Sequence, residues 1–274
     1  MSLQPQEAVA RTAAMFDTVA PAYDQSGVPF FGPIAAGLVD LLAPRPGERA
    51  LDIGAGRGAA TLRLAERVGP GGHVDALDVS PAMVELLGRE VADRGLRQVS
   101  VGLGDATDPR PPLPAYDLVA ASLVLFFLPD PVAALRRWSG LLAPGSRVGV
   151  ATFRPWPPTW RSLEDLFAEY AAPAPGPGPT TMPEVYADDG AVEGLFRAAG
   201  LSGVRTEVVT YAVPFTDTEQ WRVWSLGTAM RGLWMRVPEE AHAEVLERVT
   251  GILEDAGGSL DVAIRYTVAL APEA

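Results

Sequence analysis

Cysteine is missing from the 274 residues, and so are lysine and asparagine. Without cysteine there can be no disulfide, thiol nucleophile or cysteine-held zinc. All 22 basic residues are arginine, which removes the P-loop lysine and every Schiff-base mechanism. The only histidines are His73 and His242, too few for a multi-histidine metal site. A GC-rich genome, favouring Ala, Gly, Pro and Arg, accounts for these absences, so they restrict the chemistry without having been selected for it. Positive charge is also scarce, with a formal net charge of −12. A chain that tracks nucleic acid needs a basic groove, so neither nucleic acid nor an anionic membrane is expected as a partner. No apolar run approaches the roughly 18 residues that span a bilayer, and residues 1–10 lack a basic-then-apolar leader. A cytoplasmic location is the expectation.

What is present describes a folded α/β chain. Apolar residues make up 48%, enough for one large domain or a domain with a cap. Helical patterns at 9–16 and 32–42 precede a regular alternation. Strands are expected at 49–53, 74–79, 99–103, 116–122 and 147–153, and helices at 59–68, 81–94 and 131–142. Ser80 is a plausible N-cap followed by Pro81 at the first helical position. Strands separated by helices imply βαβ units and a parallel sheet. The second half is less regular: a helix at 160–170, a Pro/Gly-rich loop at 172–183, a helix at 188–199 and a strand at 204–213. Helices at 216–235 and 238–256 precede a closing strand at 260–270. The helices between the last two strands read as an inserted lid.

The chemistry concentrates in Leu51-Asp52-Ile53-Gly54-Ala55-Gly56-Arg57-Gly58, where the first strand ends and a helix begins. Glycines there let the backbone turn tightly and approach a ligand. Asp78 ends the second strand, where a carboxylate can accept hydrogen bonds from a ribose diol. Asp105, in Gly104-Asp105-Ala106, follows the third strand. Singly, these residues have plainer readings: a tight turn, a helix N-terminal acid and a turn residue. Together they converge on the carboxyl edge of the sheet.

This constellation resembles the class I methyltransferases, specifically from about residue 16 to residue 153. The family's first motif matches Leu51 to Gly58, including Asp52. Its ribose acid matches Asp78 and its adenine-contacting acid matches Asp105. Tyr116-Asp117-Leu118-Val119, Leu128-Pro129-Asp130-Pro131 and Ala143-Pro144-Gly145 match its later landmarks. Phe16-Asp17-Thr18-Val19-Ala20-Pro21-Ala22-Tyr23-Asp24 is similar to the N-terminal segment of the quinone-biosynthesis and secondary-metabolite type. The resemblance implies a doubly wound, Rossmann-like sheet of seven strands with the last antiparallel. It implies N-terminal helices over residues 1–45 covering the cofactor. Residues 46–274 would then form the methyltransferase domain, with lid segments at about 155–187 and 216–257. The implied cofactor is S-adenosylmethionine, contacted by Tyr23, Asp52, Gly54, Ala55, Gly56, Asp78, Val79, Met83, Gly104, Asp105, Ala106, Ser122 and Leu123. Arg57 departs from the small residue usual in the loop. It can bond a carboxylate or lie on the helix surface, and the surface is the expectation.

Gly54, Gly56 and Ala59 also fit the dinucleotide pattern G-x-G-x-x-A. Asp52 before the loop, Asp105 after the third strand and an antiparallel closing strand favour methyl transfer over that oxidoreductase reading. A cofactor-binding cyclase or binding module on the same fold is a further alternative. After the fourth strand there is no Asn-Pro-Pro-Tyr motif for DNA base methylation and no acid to hold Mg²⁺. The expected reaction is metal-independent methylation, at oxygen first, of a small natural product. Candidate bases are His242, in a charged helix, and Tyr23, with Tyr186 a further phenol. Phe127, Trp156, Trp160, Trp221 and Trp224 are the candidate substrate pocket, with Phe126 a further wall. Arg222, Arg231 and Arg236 read as a solvated face able to hold a substrate carboxylate.

Overall fold

The computed structural model describes residues 5–113, 115–171 and 182–273. Its centre is a seven-stranded sheet in the order β3-β2-β1-β4-β5-β7-β6. The strands are β1 (Arg49–Ile53), β2 (His73–Asp78), β3 (Val99–Leu103), β4 (Tyr116–Ser122), β5 (Leu142–Phe153), β6 (Ser202–Pro214) and β7 (Ser259–Leu270). β1 to β5 pair in parallel, whereas β7 runs antiparallel to both β5 and β6. The sheet is thus the doubly wound one expected, with the last strand reversed. The central strands are short and apolar because both faces are covered: Ala50, Leu51 and Ile53 of β1 are buried.

Chain order reverses between β1 and β4, the place where open α/β sheets form a crevice at their carboxyl edge. Helices α1 (Pro5–Val19), α2 (Phe31–Leu42), α3 (Thr61–Val68), α4 (Pro81–Asp93), α5 (Pro131–Ser139), α6 (Pro158–Tyr170) and α7 (Asp189–Ala198) flank it. The expected cap holds, since Ser80 Oγ accepts from Met83 N with Pro81 following. Asp130 and Asp188 cap α5 and α7 in the same way. α2 lies on the sheet face, where Leu38 and Leu42 crowd Gly149 and the Tyr266 hydroxyl donates to Ile34 O.

Between β6 and β7 lie α8 (Thr218–Leu226), α9 (Arg231–Trp234) and α10 (His242–Asp255). The continuous helix expected over 216–235 is broken at Gly227 and Thr228. A side chain at Gly227 would meet Ala22 O at 2.9 Å, and Thr228 Oγ1 caps a new turn by accepting from Met230 N. α6, α8 and α10 share a core with the first half of β7 through Phe167, Trp221, Val249 and Leu260. Much of the Pro/Gly-rich loop expected at 172–183 lies outside the described residues. No helix of the described residues is long and apolar enough to cross a membrane.

Candidate active site

The turn after β1 is built from glycines in conformations that side chains resist. Gly54, Gly56 and Gly58 have φ of 70°, 53° and 90°. Gly54 N and Ala55 N donate to Leu77 O, stitching the turn to β2. A side chain on Gly54 would strike Val124, and one on Gly58 would strike Leu87. Beneath the turn, Asp52 is 1% exposed and accepts from Thr61 Oγ1 at 2.6 Å. Burial pushes its carboxyl up to about 7.

Asp78, at the end of β2, accepts from Gly56 N at 2.8 Å and from Ser80 N at 2.9 Å. Each carboxylate oxygen keeps a lone pair for a ligand. Asp105 accepts from Thr107 N through Oδ1 alone. Asp17 of α1 reaches across to accept from Ser80 Oγ and Ala82 N, fastening α1 to the start of α4. The neighbourhood is acidic: burial raises Asp78, and the Asp17 charge raises it further. Asp24 is raised by burial, against the pull of Arg57 and Arg63.

Three cavities meet at this edge. A narrow cleft is lined by Gly54, Gly56, Asp78, Val79, Met83, Gly104, Asp105, Ala106, Ser122 and Leu123, with Val9, Thr12 and Phe16 of α1 across it. A small cavity behind the loop is lined by Asp24, Asp52, Ala55 and Arg57. Arg57 does not lie free on the helix surface; its Nη1 donates to Ala20 O at 3.2 Å. The third is an aromatic chamber of about 170 Å³, whose walls include Phe30, Phe127, Trp156, Trp160 and Trp224. The fit to an adenosyl nucleoside rests on the glycine cradle, which a Cβ would fill, and on carboxylates with spare lone pairs at the ends of β2 and β3.

Comparison with known proteins agrees with this arrangement. The sequence pattern described as "Methyltransferase domain" matches residues 50–145. Nocamycin O-methyltransferase of Saccharothrix syringae is 36% identical over 268 residues, covering 93% of this chain and 95% of that protein. The chain belongs to the class I S-adenosylmethionine-dependent methyltransferases. Aklanonic acid methyltransferase DauC of Streptomyces sp. (strain C5) is 44% identical over 133 residues, 48% of this chain and 60% of that protein. The Haemonchus contortus phosphoethanolamine N-methyltransferase 2, solved in complex with S-adenosyl-L-methionine, shares the fold with a TM-score of 0.61 at 17% identity. That match covers 99% of this chain and 61% of the other.

In this methyltransferase the cleft and the aromatic chamber share a wall of Phe16, Tyr23, Leu123 and Phe127. Tyr23 faces all three cavities and stacks on Phe31 with ring centroids 4.3 Å apart. Burial, then the charges of Asp24 and Asp78, push its phenol far above the ordinary value. Leu123 holds φ of 60°, a conformation costing a non-glycine residue about 1–2 kcal/mol. Its N–H donates to Ala151 O at 3.0 Å, so the strain is tied down by β5.

Two expected residues stand elsewhere. His242 packs edge-on against Trp234, its Nε2 lies 3.2 Å from Val237 O, and it lines none of these cavities. Trp221 is fully buried between Phe167 and Trp234, outside the chamber, while Trp224 faces it. Three positions along a helix leave a residue about 60° off its neighbour's direction, enough to part the two. Sequence reasoning missed Phe16, Phe30, Phe31, Phe153 and Met230 as walls and Asp17 as the α1–α4 tie. For Phe16 and Asp17 a signal existed, since both sit in the motif segment that contains Tyr23.

Proposed function

We propose that the glycine-rich cleft holds S-adenosylmethionine and that its methyl group passes to an oxygen of a small natural product seated in the aromatic chamber. The wall common to cleft and chamber, centred on Tyr23 and Leu123, carries this reading. Asp78 would hold the ribose diol and Asp105 the adenine amino group, with Val79, Met83 and Ala106 against the ring and Gly104 leaving it room. Gly54, Ala55 and Gly56 would border the methionine portion, and Asp52 would keep the loop in shape through Thr61. Ser122 and Leu123 would lie beside the methyl group. α1, and the helices α6 and α8 to α10, would form the cover over residues bound at the sheet edge.

When bound, the cofactor supplies a methyl group already activated by a sulfonium. The protein's work is then alignment and exclusion of water, which the aromatic walls perform. Electrostatics favour this ligand over a dinucleotide. Asp78 crowds Asp52 beneath the loop and is itself crowded by Asp17 of α1. A ligand bearing sulfonium and ammonium charge relieves that crowding, whereas a diphosphate compounds it. The acceptor class follows from the chamber lining, which has no carboxylate or imidazole among the described residues. Tyr23 keeps its proton, so it can hydrogen-bond the acceptor but cannot take its proton. The acceptor oxygen therefore has to be acidic in its own right, as in a phenol, an enol or a carboxylic acid. The two natural-product methyltransferases among the relatives fit such a substrate.

The test is incubation with methyl-labelled S-adenosylmethionine and a panel of phenolic, enolic and carboxylic aromatic acceptors. Label should appear on oxygen of one acidic acceptor class and not on aliphatic alcohols of matched size. Label remaining on the cofactor while an acceptor rearranges would turn the reading to a cyclase.

A further inference from the structure

Beyond the aromatic chamber the space continues. A cavity of about 450 Å³ shares Phe153, Trp156, Met182 and Pro183 with the chamber and runs under α6 and α9. Its far walls carry Arg154, Arg161 and Arg236. The three guanidinium groups are not alike. Arg154 pairs with Asp189 at 3.2 Å, and Arg161 donates to Trp156 O at 2.9 Å. The Arg236 side chain makes no hydrogen bond or ion pair with the described residues. It is half-buried, and its Nε is out of contact with solvent and unpartnered.

Arg154 and Arg231 also carry a buried Nε without a partner, but Arg154 is ion-paired and Arg231 lies outside this cavity, which leaves Arg236 as the arginine of this lining whose side chain has no partner among the described residues. Aspartate and glutamate number 34 against 22 arginines, so a carboxylate is easily found. Arg222 and Arg248, on neighbouring helices, have found Glu219 and Glu169. Leaving a half-buried guanidinium unpaired costs free energy that an anion at that place would return. The acids lining the same cavity do not fill the role: Asp165 and Glu184 are exposed, and Glu164 has an interaction of its own. Tyr186, 2% exposed, adds a buried hydroxyl without a partner to the same lining.

We propose that this cavity is a second acceptor subsite, in which Arg236, backed by Arg154, binds a carboxylate carried by the substrate away from its methylated oxygen. The acceptor is then an extended, flat, acidic molecule. Its ring system occupies the aromatic chamber and its anionic arm lies under α9. The proposal rests on the chamber being the acceptor site.

The probe pair is anthraquinone-2-carboxylate and its neutral carboxamide, titrated into the full chain by tryptophan fluorescence with S-adenosylhomocysteine present. The wild-type chain should bind the acid about tenfold more tightly than the amide, a difference of about 1.4 kcal/mol. Arg236→Gln should lose that preference while binding the amide unchanged, and Arg236→Lys should keep part of it. Arg222→Gln, which removes an arginine already paired, should leave both affinities as they were. Equal affinity for acid and amide, binding of neither, or equal weakening of both in Arg236→Gln would overturn the proposal. Binding of S-adenosylhomocysteine, measured separately on each variant, keeps a failure of the cofactor reading or of folding distinct from a failure of the subsite.

Discussion

Tyr23 stands where the cleft meets the chamber, with its ring held by Phe31 and its hydroxyl unpaired among the described residues. Because its ionisation is raised, it is a donor at any working pH. Tyr23→Phe removes one neutral hydrogen bond, about 0.5–1.5 kcal/mol, so kcat should fall by no more than about tenfold. The shape of the pH–rate profile between roughly pH 6 and 9 should not change. An alkaline limb present in the wild type and lost in the variant would show that the phenol acts as a base after all. Asp78 and Asp105 could be singled out in the sequence because each falls at the end of a strand, and strand ends follow from the alternation; Ser122 and Leu123 rest on the family resemblance. The chamber walls come from five separate segments, and only the tertiary fold decides which aromatic faces inward. Trp221 and Trp224 illustrate this, since equal residues at helical spacing were split between core and cavity.

Among the elements, α1 carries the most consequence. It crosses the cleft through Val9, Thr12 and Phe16, and Asp17 fastens it to α4. The cleft encloses only about 80 Å³, well below the roughly 300–1,000 Å³ of small-molecule sites. α1 therefore has to yield on binding and settle again over the ligand. Hydrogen exchange should show slower exchange across α1 with S-adenosylhomocysteine present, and unchanged exchange would place the ligand elsewhere. Asp17→Ala loses a cap and should destabilise the chain by about 1 kcal/mol, measured by denaturant unfolding. Behind the aromatic chamber, Arg265 is 0% exposed, pairs with Asp189 at 2.6 Å and donates to Tyr186 O at 3.1 Å. Arg265→Met leaves Asp189 to Arg154 and Tyr186 O without its donor, and should cost about 1–3 kcal/mol, measured by denaturant unfolding. The regular first half was legible because apolar strands and capped helices state their own limits. The break in the helix at Gly227 was not, because the glycine there makes room for Ala22 O, some two hundred positions away in the chain.

Over the whole molecule, acidic charge dominates, and at the cleft it is held against its tendency to ionise. Folded Asp52 keeps its proton up to about pH 7, while an unfolded chain releases it near 3.8. Between those values the folded state binds more protons, so this group's contribution to stability falls as pH rises through the window. Asp52→Asn keeps an acceptor for Thr61 and removes the titration. Its melting temperature should fall less steeply between pH 4 and pH 7 than that of the wild type; parallel curves would mean Asp52 is already ionised. The same acidic surroundings argue for a cationic cofactor, and the most direct test is calorimetric. S-adenosylmethionine should bind the wild-type chain with a micromolar or tighter constant, and Asp78→Ala should weaken it at least a hundredfold while remaining folded. NADH binding more tightly than S-adenosylmethionine, or Asp78→Ala binding S-adenosylmethionine as well as the wild type does, would contradict a cleft built for the adenosyl sulfonium.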